Sequence, residues 1–234
     1  KVVSIGRGAP GTNYSADSTL ITASWEPVGV LIDLDKQTDG FTVTGLNGKD
    51  TIIGSLGNDA LYGTGGVDSI LGGMSNDTIV SEDFISGGGA MDALYGQDDN
   101  DTFAVAGASE MVEAAGTETI NGGDGIDTLS IIVDASTLTG NLGNDRVYDL
   151  TQGTNNISDL EVVSFGQDAS GFVLTLDDGM AATSDLGGTN SGTVRVTSSV
   201  NMSNAVKVDA TDFQAGRELQ QKPGRPLRSD QCPP

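Results

Sequence analysis

The 234-residue chain has no histidine, a single cysteine (Cys232) and only 5% aromatic residues. Without histidine, Ser-His-Asp and Cys-His nucleophiles and a histidine-bearing zinc hydrolase site are excluded. A lone cysteine excludes an intramolecular disulfide framework, so outside the cell something other than cystine must hold the chain together. Basic residues are scarce as well: 11 Lys and Arg stand against 33 Asp and Glu, a formal charge of −22. That charge repels nucleic acid and anionic membrane surfaces, and it opposes compaction unless cations neutralise part of it. No apolar run approaches the ~20 residues of a membrane span, so membrane insertion is not expected. There is no G-x-S-x-G elbow and no phosphate-cradling loop. A two-carboxylate glycosidase would pass on residue count alone, but most of the aspartates sit in a pattern that assigns them another task. The expectation is a non-enzyme.

What the chain does have is glycine, 34 residues of it, and a nine-residue register. From Gly45 the sequence reads GLNGKDTII, GSLGNDALY, GTGGVDSIL and GGMSNDTIV. After SEDFIS (81–86) it resumes with GGGAMDALY and GQDDNDTFA, and two further copies begin at Gly122 (GGDGIDTLS) and Gly140 (GNLGNDRVY). In every copy the first residue is Gly: 45, 54, 63, 72, 87, 96, 122 and 140. The sixth is Asp: Asp50, Asp59, Asp68, Asp77, Asp92, Asp101, Asp127 and Asp145. The eighth is apolar: Ile52, Leu61, Ile70, Ile79, Leu94, Phe103, Leu129 and Val147.

Each column has a physical cause. An inward apolar residue between two outward ones is a short strand of period two, and the six residues before it turn the chain, with glycine where φ is positive. The fourth residue departs from Gly at Ser75, Ala90 and Asp99; Asp tolerates the left-handed region best of the three, so the turns at Ser75 and Ala90 are expected to be strained or altered. One strand and one turn make half a coil, so two repeats complete an eighteen-residue rung and turns two repeats apart stack on one edge. Asp50 then stacks with Asp68, and Asp59 with Asp77. If the insertion bulges out, Asp68 meets Asp92 and Asp77 meets Asp101. Asp127 and Asp145, eighteen residues apart, form a further pair. Stacked carboxylates repel. With Ca²⁺ between successive turns, two Asp side chains and turn carbonyls can supply the roughly 6–8 oxygens that ion takes, whereas the hard all-oxygen set disfavours zinc and copper. A metal-free solenoid, in which each Asp bonds only to nearby backbone, is the competing reading.

The repeats resemble the RTX, or haemolysin-type, calcium-binding family, whose pattern is GGxGxDxUx with U a large apolar residue. The resemblance covers eight nonapeptides. It implies an all-β fold, a parallel β-roll with several Ca²⁺ ions in its turns, held by the eight aspartates and by the backbone of the first-position glycines (Gly45, Gly54, Gly63, Gly72, Gly87, Gly96, Gly122 and Gly140). It also implies a secreted protein at the surface of a Gram-negative bacterium. Only Gly72-Gly73, Gly87-Gly88 and Gly122-Gly123 keep the double glycine, which points to fewer and less uniform sites than in a long regular roll.

The remaining chain divides by composition. Residues 1–44 carry strand-like runs and are expected to be a cap or the opening rungs, and 45–104 is the calcium-binding roll. Residues 105–216 form a β-rich continuation holding the degenerate pair (122–148), with a protruding loop or short helix near 105–121. Three segments, GVLIDLDKQTDGFTVTG, LSIIVDASTLTG and NAVKVDATDFQAG, echo one another as an apolar-Asp strand before a Gly turn. Residues 217–234 concentrate basic residues and proline and look foreign to the roll. Function is expected to be structural or adhesive, in a Ca²⁺-stiffened surface-layer, adhesin or fibre assembly, with self-association or surface assembly as its interactions. The alternative is the folding or secretion module of a hydrolase or toxin whose catalytic domain lies elsewhere.

Overall fold

A computed structural model describes residues 2–4, 20–22, 29–81, 92–106, 119–132, 146–149, 156–166, 172–176, 193–198, 207–209 and 218–221. All of the regular structure among them is strand. In chain order these are β1 (Val2–Ser4), β2 (Leu20–Thr22), β3 (Leu31–Asp33), β4 (Thr42–Asn47), β5 (Thr51–Ile53), β6 (Ala60–Gly65), β7 (Ser69–Gly73), β8 (Thr78–Ser81), β9 (Ala93–Asp98) and β10 (Thr102–Ala106). Then come β11 (Thr119–Asp124), β12 (Thr128–Ile132), β13 (Arg146–Asp149), β14 (Asn156–Ser158), β15 (Val162–Phe165), β16 (Phe172–Thr175), β17 (Thr193–Ser198), β18 (Lys207–Asp209) and β19 (Glu218–Gln221).

From β1 to β12 the strands alternate between two parallel sheets, as one strand per half-coil requires. Seven lie in the order β1-β3-β5-β7-β9-β11-β14, and nine in the order β19-β17-β15-β12-β10-β8-β6-β4-β2. The fold is therefore an all-β parallel roll. Its regular part has the expected eighteen-residue rung: Thr42 pairs with Ala60 and Ala60 with Thr78, while Thr51 pairs with Ser69. The core is the apolar eighth-position column, with Ile52, Leu61, Ile70, Ile79, Leu94, Phe103 and Leu129 all fully buried between the sheets. The equivalent Val147 lies on β13, whose side chains fall outside the description.

Register survives the insertions. Ser69 pairs with Ala93 and Thr78 with Thr102, so the rung that contains residues 81–86 is longer while its strands stay aligned. Thr102 in turn pairs with Thr128, and Ala93 with Thr119. The repeat at 122–130 thus continues the first block instead of founding a second one. β1 to β4 extend the same two sheets backward as opening rungs.

Three expectations change. β12 lies against β15, so the rung that follows Asp127 is not the one eighteen residues on; β13 joins β16 and β18 in a separate three-stranded sheet, and Asp145, just before it, lies outside the described residues. The three echo segments place β3, β12 and β18 in three different sheets, so they are not equivalent rungs. The composition break at 217 does not end the fold, since Glu218–Gln221 pairs with β17 at the end of the nine-stranded sheet. Backbone pairing needs only an extended segment in register, and composition does not disclose that. The segment proposed as a loop or short helix is strand at both ends, and its 107–118 centre lies outside the described residues, as do 222–234.

Candidate metal centre

Every described sixth-position aspartate is buried: Asp50, Asp59, Asp68, Asp77, Asp92, Asp101 and Asp127 are 0–4% exposed. Burying carboxylates without partners is costly, so where each oxygen goes decides what the edge can do. One oxygen has the same task throughout. On one edge, Val30 N donates to Asp50 Oδ1 (2.7 Å), Asp50 N to Asp68 Oδ1 (2.8 Å) and Asp68 N to Asp92 Oδ1 (2.7 Å). On the other, Phe41 N donates to Asp59 Oδ1 (2.6 Å), Asp59 N to Asp77 Oδ1 (2.8 Å), Asp77 N to Asp101 Oδ1 (2.8 Å) and Asp101 N to Asp127 Oδ1 (2.7 Å). The pairings expected from the repeat length, 50 with 68 and 59 with 77, are those seen, and so are 68 with 92 and 77 with 101 across the insertion. Asp101 with Asp127 is an addition that spacing alone did not reveal.

The second oxygen differs. Oδ2 of Asp50, Asp77 and Asp101 is buried without a hydrogen-bond partner. It points at the first-position glycine of its own turn, where the carbonyl of the next rung's first-position glycine also arrives. A Cβ built on Gly72 would lie 2.5 Å from Asp77 Oδ2 and 2.7 Å from Gly96 O, and Gly45 is flanked likewise by Asp50 Oδ2 and Gly63 O. The first glycine is therefore needed for space. Acceptors from two successive turns converge there, an arrangement that calls for a cation or a proton.

Burial raises the pKa of Asp50, partly offset by the bond from Val30. Asp77 is pushed up to about 7 and Asp101 to about 8, in each case chiefly by burial; a backbone bond lowers each, and neighbouring carboxylates, Asp99 among them, raise each further. Asp98, Asp99, Asn100, Asp124 and Gly125 line a shallow cavity of about 390 Å³ outside this edge. No three acidic side chains converge on one point among the described residues. An ion here takes at most two carboxylates and must draw the rest of its shell from carbonyls and water. That matches an oxygen-seeking ion with a large, flexible coordination sphere.

Turn conformation follows the motif with exceptions. Ser75 and Asp99, both in fourth position, adopt left-handed φ of 72° and 78°, so Ser75 does what Gly would do there; Ala90 lies outside the described residues. Thr64 and Gln97, in second position, are left-handed too (71° and 83°), which the sequence pattern did not flag. For β-branched Thr64 this is an unusual conformation.

Sequence reasoning also missed a counter-running ladder on the second edge. Asn76 N donates to Asn58 Oδ1 (3.2 Å), Asn100 N to Asn76 Oδ1 (2.9 Å) and Ile126 N to Asn100 Oδ1 (2.8 Å). Each fifth-position amide thus bonds back to the rung before it, while each Asp amide bonds forward. The signal was present in the recurrence of Asn58, Asn76 and Asn100 at alternate repeats. Glu161 was missed as well: Asp127 N donates to its Oε2 (2.7 Å), so it fills the rung position that Asp145 was expected to hold. Register pairs Asn121 with Ser158 and Thr128 with Val162, which places Asp159 opposite Gly122 and Glu161 opposite Asp127. That turn is three residues shorter than the nonapeptide one, yet the register keeps Glu161 opposite Asp127. Asp145 itself, and the first-position glycines Gly87 and Gly140, lie outside the described residues.

A parallel β-roll with carboxylate ladders in its turns is a repeat-built structural module whose edges suit hard cations. The family model for the RTX calcium-binding nonapeptide repeat matches this chain over residues 44–79, 81–104 and 114–130, in four copies. These segments match that repeat, and the module they form is a calcium-binding structural one. No curated protein and no solved structure matches the chain.

Proposed function

We propose that this chain is a structural or adhesive element of a secreted or cell-surface assembly, folded and stiffened by Ca²⁺. The observation that carries the reading is continuity. The same two sheets run before the repeats, through β1 to β4, and beyond them, through β14, β15, β17 and β19. The repeats are the middle of one solenoid, which suits a load-bearing rod better than a folding tag joined to a catalytic domain.

The proposed ligands are Asp50, Asp68 and Asp92 on one edge and Asp77, Asp101 and Asp127 on the other, with carbonyls of the turn glycines. Bound there, Ca²⁺ supplies the positive charge that the converging oxygens lack. The chain's own residues hold each carboxylate in place through the Oδ1–amide bond and exclude bulk water by burial. Extracellular calcium modules bind with Kd of about 10⁻⁴–10⁻³ M, so external calcium would fold the chain and cytosolic levels would leave it unfolded.

The test has two readouts on the whole chain. Circular dichroism should show β structure in millimolar Ca²⁺ and its loss in chelator; an identical spectrum in both would reject calcium-driven folding. Sedimentation in Ca²⁺ should show concentration-dependent assembly, and a strict monomer at every concentration would argue for the secretion-module alternative.

A further inference from the structure

We infer that the first repeat turn of the second edge, residues 54–59, holds no calcium. Ser55 takes the place an ion fills in the following turns, so Asp59 is an ion-independent anchor and the calcium array of this edge begins at Asp77. This rests on the calcium reading above.

Three observations carry it. Both carboxylate oxygens of Asp59 are occupied by protein donors. Oδ2 accepts from Ser55 N (2.6 Å), while Oδ1 accepts from Phe41 N (2.6 Å) and lies 2.9 Å from Ser55 Oγ. In the next two turns of the same edge, Oδ2 of Asp77 and of Asp101 has no hydrogen-bond partner. Second, the Ser55 hydroxyl is buried at the centre of its turn, 2.9 Å from Asp39 O and 3.2 Å from Gly57 O, and it accepts from Gly57 N (3.1 Å). Oxygens from two successive turns thus gather around a hydroxyl, as they would around a cation. Third, the backbone differs. The second residue is left-handed in the Asp77 and Asp101 turns, at Gly73 (119°) and Gln97 (83°), whereas Ser55 stays out of that region.

The two arrangements exclude one another for a simple reason. A cation needs lone pairs pointing inward, but at Asp59 an N–H points at the carboxylate instead. To bind there, Ca²⁺ would have to expel the Ser55 amide and hydroxyl from Asp59 and rotate the turn. At Asp77 and Asp101 nothing needs to be displaced from Oδ2.

Sequence-wise, Ser55 stands where the repeat pattern has its second glycine. Ser55→Gly removes the hydroxyl and opens the left-handed region to the backbone. Calorimetric Ca²⁺ titration of the whole chain should then show one more ion per chain than wild type. Adding Asp59→Asn to that variant should return the count to the wild-type value. In the wild-type background, Asp59→Asn should leave the count unchanged, while Asp77→Asn lowers it. Circular dichroism in Ca²⁺ checks that each variant folds.

A wild-type chain that binds no Ca²⁺ would overturn the calcium reading and this inference together. A wild-type chain that binds Ca²⁺, with an unchanged count in Ser55→Gly, would overturn only the inference. So would loss of an ion in Asp59→Asn alone, or a Ser55→Gly chain that stays unfolded in millimolar Ca²⁺.

Discussion

At the scale of single residues, the repeat assigns one task to each position, and the first glycine shows how strict that task is. Gly72 leaves room for two oxygens from successive turns, Asp77 Oδ2 and Gly96 O, at distances no Cβ tolerates. Gly72→Ala should therefore destabilise the folded form by about 1–3 kcal/mol, through overpacking against backbone that cannot yield. It should also raise the Ca²⁺ concentration needed for folding. Met74, two residues on and 49% exposed, is the control: Met74→Ala should stay within about 0.5 kcal/mol of wild type. Denaturant midpoints in Ca²⁺ measure both. Equal midpoints for the two variants would mean that the crowding around Gly72 is relieved by movement of the turn.

Among strands, stability depends on the bonds that tie one rung to the next. The Asp ladder bonds forward and the Asn ladder backward, so each rung of the second edge is held to both of its neighbours. Glu161 continues this scheme past the last matched repeat by accepting from Asp127 N, and Val162 N bonds to Asp127 O directly beside it. Glu161→Ala strips a buried amide of its acceptor, at about 1–3 kcal/mol, whereas Glu161→Gln keeps an acceptor oxygen and should cost less. Hydrogen exchange locates the effect: amides of β12 and β15 should lose protection in the alanine variant while β5 to β8 keep theirs. Uniform loss along the roll would show that the rungs unfold as one unit, and no loss would show that Glu161 does not hold the junction.

For the whole molecule, the governing quantity is charge. The formal −22 and the buried ladders both oppose a metal-free fold at neutral pH. Asp77 and Asp101 rise from an ordinary 3.8 to about 7 and about 8. The folded, metal-free chain therefore binds more protons than the unfolded chain between roughly pH 4 and 8, and its stability falls as pH rises through that window. In chelator, any β circular-dichroism signal that remains should be stronger near about pH 5 than near about pH 8, and lower net charge at the acid end works in the same direction. In millimolar Ca²⁺ the trend should flatten or reverse, because protons and ions compete for the same oxygens. A β signal in chelator that grows with pH would contradict the burial-driven shifts.

By itself, the sequence determined the half-coil, the buried apolar column, the two Asp edges and the all-oxygen chemistry. A nine-residue period in a parallel stack turns a local pattern directly into contacts between rungs: Asp50 meets Asp68 because eighteen residues make one turn of the coil. Across the six-residue insertion that translation held only on the condition that the insertion bulges out, and past residue 104 spacing no longer says which turn follows which. Loop-closure entropy grows only slowly with length, so the number of residues inserted does not say which strand the chain rejoins. Only the tertiary structure decided that Asp127 stacks on Asp101, that Glu161 follows it in place of Asp145, and that Glu218–Gln221 closes the nine-stranded sheet. It also decided what each Asp does with its second oxygen. Asp59 and Asp77 occupy the same column of the repeat, and only the bonds around Ser55 separate an anchor from a ligand.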